Sequence, residues 1–289
     1  MANGILIIDK PADWTSMDVC AKLRGILKER RIGHGGTLDP MATGVLPVFV
    51  GSATRAVEFA EKGDKEYIAG LRLGLVTNTQ DTTGEVLSQS SAIPGRTALE
   101  EILPRFTGPI AQIPPMFSAI KRDGKKLYEL ARAGKEVHRE PRPVTIHTLE
   151  LLEQAGEGDY LLRVRCSKGT YVRTLCHDIG EALGCGGCMY SLRRTMAAGF
   201  TLGDAVTLDQ AEEGREALLL PTDSFFRRYA PVTLSSPRQE RLCRNGNPVP
   251  AQGLEENALY RIYSQEREFL CLSRYQKGYL VSVKNFFGG

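Results

Sequence analysis

Short apolar runs broken by glycine, proline and charge dominate the chain, and long helical stripes are few. Gly4 to Asp9 (GILIID) reads as a buried strand that Lys10-Pro11 ends. Next, Val19, Cys20, Leu23, Ile26 and Leu27 recur at helical spacing behind Ser16, which predicts a helix capped by that serine with Lys22, Arg24, Lys28 and Arg30 outside. Val45 to Val50 is strand-like, and Pro47 within it argues for an edge or a bulge. Tyr67 to Leu73 alternates as a half-exposed strand, and the polar TNTQDTTGE after it reads as a turn-rich loop.

Thr97-Ala-Leu-Glu100 has the form of a capping box opening a helix that Pro104 cuts short. Prolines and glycines punctuate residues 113–144, which predicts an inserted basic loop with one short helix, Lys126 to Arg132. Val144 to Glu150 and Asp159 to Cys166 pair as strands around QAGEG, and SKGTYVRTL leads into a helix ending near Gly184. Short strands then recur at Ala258 to Ser264, Phe269 to Leu272 and Tyr279 to Val283, predicting a small β domain of about 55 residues. There is no internal repeat and no low-complexity tract.

A chain of 289 residues with 42% hydrophobic and 25% charged residues buries a core without staples, as one large domain or a large one with a small one. The first ten residues, MANGILIIDK, resemble neither a secretory signal nor a membrane span, so a cytoplasmic location is expected. Seven cysteines without framework spacing predict free, mostly buried thiols. A net charge of +3 does not by itself indicate nucleic acid, but residues 121–142 carry eight Lys/Arg against four Asp/Glu, and residues 22–31 carry five against one. Both stretches flank or follow a loop rich in chemistry.

That loop is RIGHGGTLDPMATGVLPV, residues 31–48, which holds a single carboxylate, Asp39. No Gly-Lys-Ser/Thr completes a phosphate loop, and no second local acid makes a glycosidase pair. Leu-Asp-Pro alone describes a turn. The block His34-Gly35-Gly36-Thr37-Leu38-Asp39-Pro40-Met41-Ala42-Thr43-Gly44-Val45-Leu46-Pro47 nevertheless resembles the catalytic motif of the TruB family, the bacterial tRNA pseudouridine-55 synthases, departing from it at Gly36. The likeness continues through GILIIDKP, Lys65-Glu66-Tyr67, QIPPMFSAIK (112–121), Gly124 to Tyr128 and CSKGTYVRTL (166–175), about 200 residues in family order. Thr77-Asn78-Thr79 replaces the family's T-D-T, while Asp81 matches.

The resemblance implies an isomerase that breaks the bond between uracil and C1′, turns the base and rejoins it through C5, with no cofactor and no metal. Asp39 is then the nucleophile, attacking either C1′ or the base, and Arg173 its ion-pair partner. Tyr67 is the active-site tyrosine stacking on the base, Tyr171 and Leu192 line the pocket, and His34 fills the space behind a flipped uridine. Lys10 is expected on the substrate, and Lys121, Lys125, Lys126, Arg132 and Arg139 on phosphates of the T arm.

Two alternatives stand beside it. His138-Arg139-Glu140 with Cys185 and Cys188 mimics a zinc deaminase, although Gly184 and Pro141 break its pattern, and Cys176, His177, Cys185 and Cys188 compose a structural zinc set. A non-catalytic RNA-binding protein would use the same basic stretches, and the guide-RNA-dependent branch of the family typically lacks the insertion. The expectation is an α+β pseudouridine synthase fold over residues 1–230, with a mixed, largely antiparallel sheet and a basic insertion at about 115–143. A small PUA-like β barrel follows at 231–289. The partner is the T stem-loop of tRNA, with no membrane, no obligate protein partner, and a monomeric protein.

Overall fold

In the computed structural model, which describes residues 2–122 and 124–288, a nine-stranded sheet carries the site and a five-stranded sheet closes one side of it. The chain runs through β1 (Gly4–Lys10), α1 (Ser16–Leu27), β2 (Ile32–His34), β3 (Thr43–Val50), α2 (Val57–Glu61) and β4 (Lys65–Leu73). A hairpin of β5 (Leu75–Thr77) and β6 (Val86–Gln89), then α3 (Arg96–Ile102) and β7 (Gly108–Gln112), lead into the basic insertion. The insertion holds β8 (Lys121–Arg122), β9 (Lys125–Lys126) and α4 (Leu127–Arg132). After it come β10 (Arg142–Gly156), β11 (Asp159–Cys166), α5 (Val172–Ala182), β12 (Gly187–Ala197), β13 (Phe200–Thr201) and α6 (Leu208–Gly214). The C-terminal part contains β14 (Ala230–Thr233), α7 (Pro237–Arg244), β15 (Val249–Pro250), β16 (Leu259–Tyr263), β17 (Phe269–Gln276) and β18 (Tyr279–Asn285).

The large sheet has the order β1-β3-β12-β4-β11-β10-β7, with β2 on β3 and β13 on β12. Every pairing is antiparallel except β12 with β3, where Arg193 and Arg194 meet Thr43 and Gly44. The expected mixed, largely antiparallel sheet is thus present. The near-continuous apolar run of β1 follows from burial on both faces. Leu6 and Ile8 pack with Leu46, Val48 and the apolar stripe of α1. Ile5 and Ile7 pack with Val45 and Phe49 toward Phe226, Leu272 and Phe286.

The five-stranded sheet runs β14-β16-β17-β18-β15 as an open path, with its ends unpaired to one another among the described residues, where a barrel was expected. It shares a core with the large sheet through Phe226, Leu272 and Phe286. Arg55 adds polar ties, donating to the carbonyls of Asn285 and Phe287 at 3.2 and 2.9 Å, and Lys284 pairs with Glu58 at 2.6 Å.

Several local expectations change. The cap of α1 is Thr15, which accepts from the Asp18 amide while Asp18 accepts from the Thr15 amide. Ser16 is buried instead and bonds the backbone of Leu38. Pro47 lies inside the sheet, not at an edge. Its carbonyl faces β2's side, accepting from Gly35, and its missing donor falls between the stretches that β12 and β2 pair with. Helix α3 starts at Arg96 behind Gly95, so Thr97 is inside it and caps nothing. TNTQDTTGE is the end of the β5–β6 hairpin.

Gly44 shows how closely the loop is held. Its φ is +101°, and a Cβ there would sit 2.2 Å from the Arg194 carbonyl oxygen. Gly44→Ala is therefore expected to lower folding stability by about 3 kcal/mol, read as a shift in urea midpoint; a change within about 0.5 kcal/mol, as at an ordinary surface site, would refute that close approach.

Candidate active site

Residues 35–42 have no regular structure, so their shape is imposed from outside. Ser16 Oγ accepts from the Leu38 amide at 2.9 Å and lies 3.3 Å from its carbonyl. Lys10, completely buried, donates to the carbonyls of Pro11 (2.7 Å), Trp14 (2.6 Å) and Pro40 (3.1 Å). The Asp13 amide also binds the Pro40 carbonyl at 2.9 Å, and the Ala42 amide closes back on Asp39 at 3.0 Å. The peptide units on both sides of Asp39 are thus pinned.

Helix α5 supplies the opposite charge from its first turn. Arg173 Nε meets Asp39 at 3.0 Å, and Nη1 meets Asp81 at 3.5 Å. The remaining donors reach the Thr79 carbonyl at 3.1 Å and the Phe117 carbonyl at 2.9 Å. Asp81 is itself fixed, accepting from Thr79 Oγ1 at 2.8 Å and from the Thr83 amide at 3.0 Å. The guanidinium therefore joins four separate stretches of chain at the carboxylate. The Asp39 side chain is 39% exposed and that of Arg173 8%, so the acid faces the cleft and its partner stands behind it.

The cleft has a volume of about 590 Å³ and is walled by Asp39, Tyr67, Tyr171, Leu192, Arg173 and Arg194, among others. Tyr67 is buried near the start of β4, opposite Arg194 on β12, and shares the cleft wall with Leu192. Gln112 holds Tyr171 by donating to its carbonyl at 3.2 Å and accepting from its amide at 3.0 Å. A second cavity of about 430 Å³ shares Asp39, Arg173, Phe117 and Tyr128 with the first.

Other expected residues lie farther out. His34 ends β2, half-buried, with Nδ1 unpartnered, and is not in the cleft wall. Burial, helped by Arg194, holds its imidazole below the ordinary range and so neutral. Lys121 is exposed on β8, and Lys126 reaches the Tyr128 hydroxyl at 3.2 Å. The insertion meets the cleft through Tyr128, whose ring lies under Lys126 and Arg132. Lys10 does not fit its expected place on the substrate, because its ammonium is spent on three carbonyls and burial brings it down to about 8. It shapes the loop.

The zinc alternatives find no geometry. His138 and Glu140 bond each other at 2.7 Å on the exposed insertion, while Cys176, Cys185 and Cys188 are buried free thiols. Among the described residues no three potential ligands converge. The motif reading missed Arg194, Gln112 and Tyr128. Gln112 lies in a matched stretch but carries no chemistry of its own, and the arginine is taken up below.

A positioned carboxylate held by a buried arginine in a cleft lined by Tyr67 and Tyr171 suits nucleophilic attack on a bound group. Burial pushes the Asp39 carboxyl above the usual range; Arg173 opposes this and Asp81 adds to it.

The chain is similar to known proteins over most of its length. Residues 24–172 match the model of the TruB family pseudouridylate synthase N-terminal domain, and residues 173–226 that of the tRNA pseudouridylate synthase B C-terminal domain. The tRNA pseudouridine synthase B of Pseudomonas putida is 46% identical over 93% of this chain and 90% of its own. That of Cupriavidus metallidurans is 42% identical over 96% and 92%. Among solved structures, a Cbf5-Nop10-Gar1 complex matches 99% of this chain and 85% of its own at 27% identity, with a TM-score of 0.73. An H/ACA RNP bound to a substrate RNA shares the fold at a TM-score of 0.75 and 24% identity, over 99% and 86%.

Carbon-13 titration of the Asp39 carboxyl should give a midpoint above the ordinary value of about 3.9, moving higher still in Arg173→Gln, where the opposing cation is gone. Asp39 therefore becomes a competent anion only above that raised midpoint, so activity should fall as pH drops through it. An Asp39 midpoint at or below the ordinary value would contradict the burial argument.

Proposed function

The chain belongs to the TruB family and is a tRNA pseudouridine synthase, an isomerase, and from that premise we propose that it converts the uridine at position 55 in the T loop of tRNA, with Asp39 as nucleophile. The observation that carries this reading is the Asp39–Arg173 pair set in the cleft wall beside Tyr67. The target base leaves its stack, at a cost of a few kcal/mol, and is received between Tyr67 and Leu192. His34, neutral because it is buried, occupies the place the base has left without bringing a cation into the stack. Asp39 attacks C1′ or adds to the base, the bond between N1 and C1′ breaks, the base turns, C5 joins C1′, the bond to Asp39 breaks to free the carboxylate again, and the proton on C5 leaves while N1 gains one. Atoms and electrons balance with no outside reactant, which is why one carboxylate is sufficient.

Supporting the tRNA reading, the insertion carries the exposed Lys121 and, over the ring of Tyr128 that lines the cleft, Lys126 and Arg132, cations suited to phosphates of a T arm. The same insertion favours direct reading of free tRNA over dependence on a guide RNA. The C-terminal sheet, fused to the catalytic core, is read as a PUA-like RNA-binding appendage, and a monomer in the cytoplasm as the working form. Among the described residues no helix is long and apolar enough to cross a membrane.

Pure protein incubated with an unmodified tRNA transcript should produce one carbodiimide-dependent primer-extension stop, at the T-loop uridine. Asp39→Asn should abolish that stop, a loss of at least about 10³-fold, with tRNA affinity kept. A stop elsewhere, or a fully active Asn variant, would overturn the position or the nucleophile. Replacing Lys121 and Lys126 together by Ala should weaken tRNA binding at every sequence and reduce the salt slope by roughly one to two; an unchanged slope would remove these lysines from the RNA interface.

A further inference from the structure

Arg194 is a cation where a core residue belongs. It lies in the middle of β12, 1% exposed, and among the described residues it pairs with no carboxylate. A buried charge without a counter-ion is expensive, and an apolar residue of similar volume would spare the fold that cost. What the guanidinium touches explains its presence. Nε donates to the Val45 carbonyl at 2.7 Å, Nη2 to the Gly36 carbonyl at 3.1 Å, and Nη1 lies 3.4 Å from the Thr37 carbonyl. These three carbonyls bracket Asp39, two before it and one after. In the ladder of β12 and β4, Arg194 is the register partner of Tyr67, so both side chains rise on the same face into the cleft. The register thus sets the phenol of Tyr67 and the guanidinium side by side in the cleft wall.

We propose that Arg194 is a positioning residue for the reaction, one guanidinium that holds both arms of the catalytic loop and the phenol of Tyr67 in a single arrangement. The proposal rests on the isomerase reading of this cleft, and adds to it that loop and tyrosine are not placed independently. Arg173 acts on the carboxylate directly, whereas Arg194 touches only backbone around it. Several donors in one rigid plane are required, because the loop carbonyls and the phenol lie in different directions. Lysine, with one compact ammonium, cannot replace that fork. Burial pushes the Tyr67 phenol up and Arg194 opposes this. The other charged or titratable groups at this wall are Asp39, Arg173, Lys65, Glu61, Cys166 and the phenols of Tyr128 and Tyr171.

The first test is Arg194→Lys under single turnover with saturating tRNA. The rate of pseudouridine formation should fall about 100-fold, the cost of a misplacement of roughly 1 Å, with tRNA affinity unchanged within threefold. In a Tyr67→Phe background the same substitution should cost distinctly less, because the hydroxyl it holds is already absent. A rate within threefold of the unsubstituted protein, or equal cost in both backgrounds, would overturn the proposal. The second test needs no activity. In protein carrying 13Cζ-tyrosine, the Tyr67 signal should titrate at higher pH in Arg194→Met than in the unsubstituted protein, and an unmoved midpoint would overturn the contact. Should the methionine variant not fold, the lysine cycle decides. Absence of pseudouridine from the unsubstituted protein would instead defeat the functional reading, leaving the titration to judge Arg194.

Discussion

One guanidinium sets the terms for the whole site. Arg173 meets Asp39 at 3.0 Å, Asp81 at 3.5 Å and the carbonyls of Thr79 and Phe117, and without it burial would favour the protonated, uncharged form of the Asp39 carboxyl. The rest of the local architecture follows from having to bring those groups to one point. Asp81 must be carried in by the β5–β6 hairpin, Phe117 by the start of the insertion, Arg173 by the first turn of α5, and Asp39 by a loop with no regular structure. The central sheet is the frame on which those four approaches converge.

Holding an irregular loop to that tolerance takes buried polar groups that a simpler core would avoid. Lys10, Ser16 and Arg194 are each almost wholly buried; Ser16 and Arg194 are spent on backbone groups of residues 36–45, and Lys10 ties the Pro40 carbonyl to those of Pro11 and Trp14. Burial of unpaired cations costs stability, and here that cost secures the placement of one acid. The same logic explains Gly44, whose positive φ lets β3 run against the Arg194 backbone. The five-stranded sheet seals the apolar face of β1 and β3 opposite α1, so the loop hangs between two anchored strands.

How much of this was legible in the sequence depends on what each residue does. The loop at 31–48 was readable through its resemblance to a family motif, since Leu-Asp-Pro by itself describes only a turn. Strands such as Gly4–Lys10 and Asp159–Cys166 were readable because their apolar pattern is period two or continuous. The pairing of Arg173 with Asp39 came from family resemblance, since nothing local ties residues so far apart. Arg193 and Arg194 mark the limit: they are neighbours of one type on one strand, yet the first is 43% exposed on its side chain and the second is 1% exposed as a residue. Only the sheet's register separates them. Lys10 was expected on the substrate because free lysines usually face water; its three carbonyl partners come from segments that the sequence does not show to be adjacent. Pro47 looked like an edge marker because the gap between its two partner strands is a property of the assembled sheet.

The central claim is that a flipped uridine is received where Asp39, Arg173 and Tyr67 meet. The most direct test is a crystal structure of the Asp39→Asn protein with an unmodified T stem-loop. The account predicts the target uridine out of its stack, its ring against Tyr67 and Leu192, and C1′ or the base beside the residue 39 amide. RNA bound with every base still stacked, or a flipped base seated away from this cleft, would contradict it.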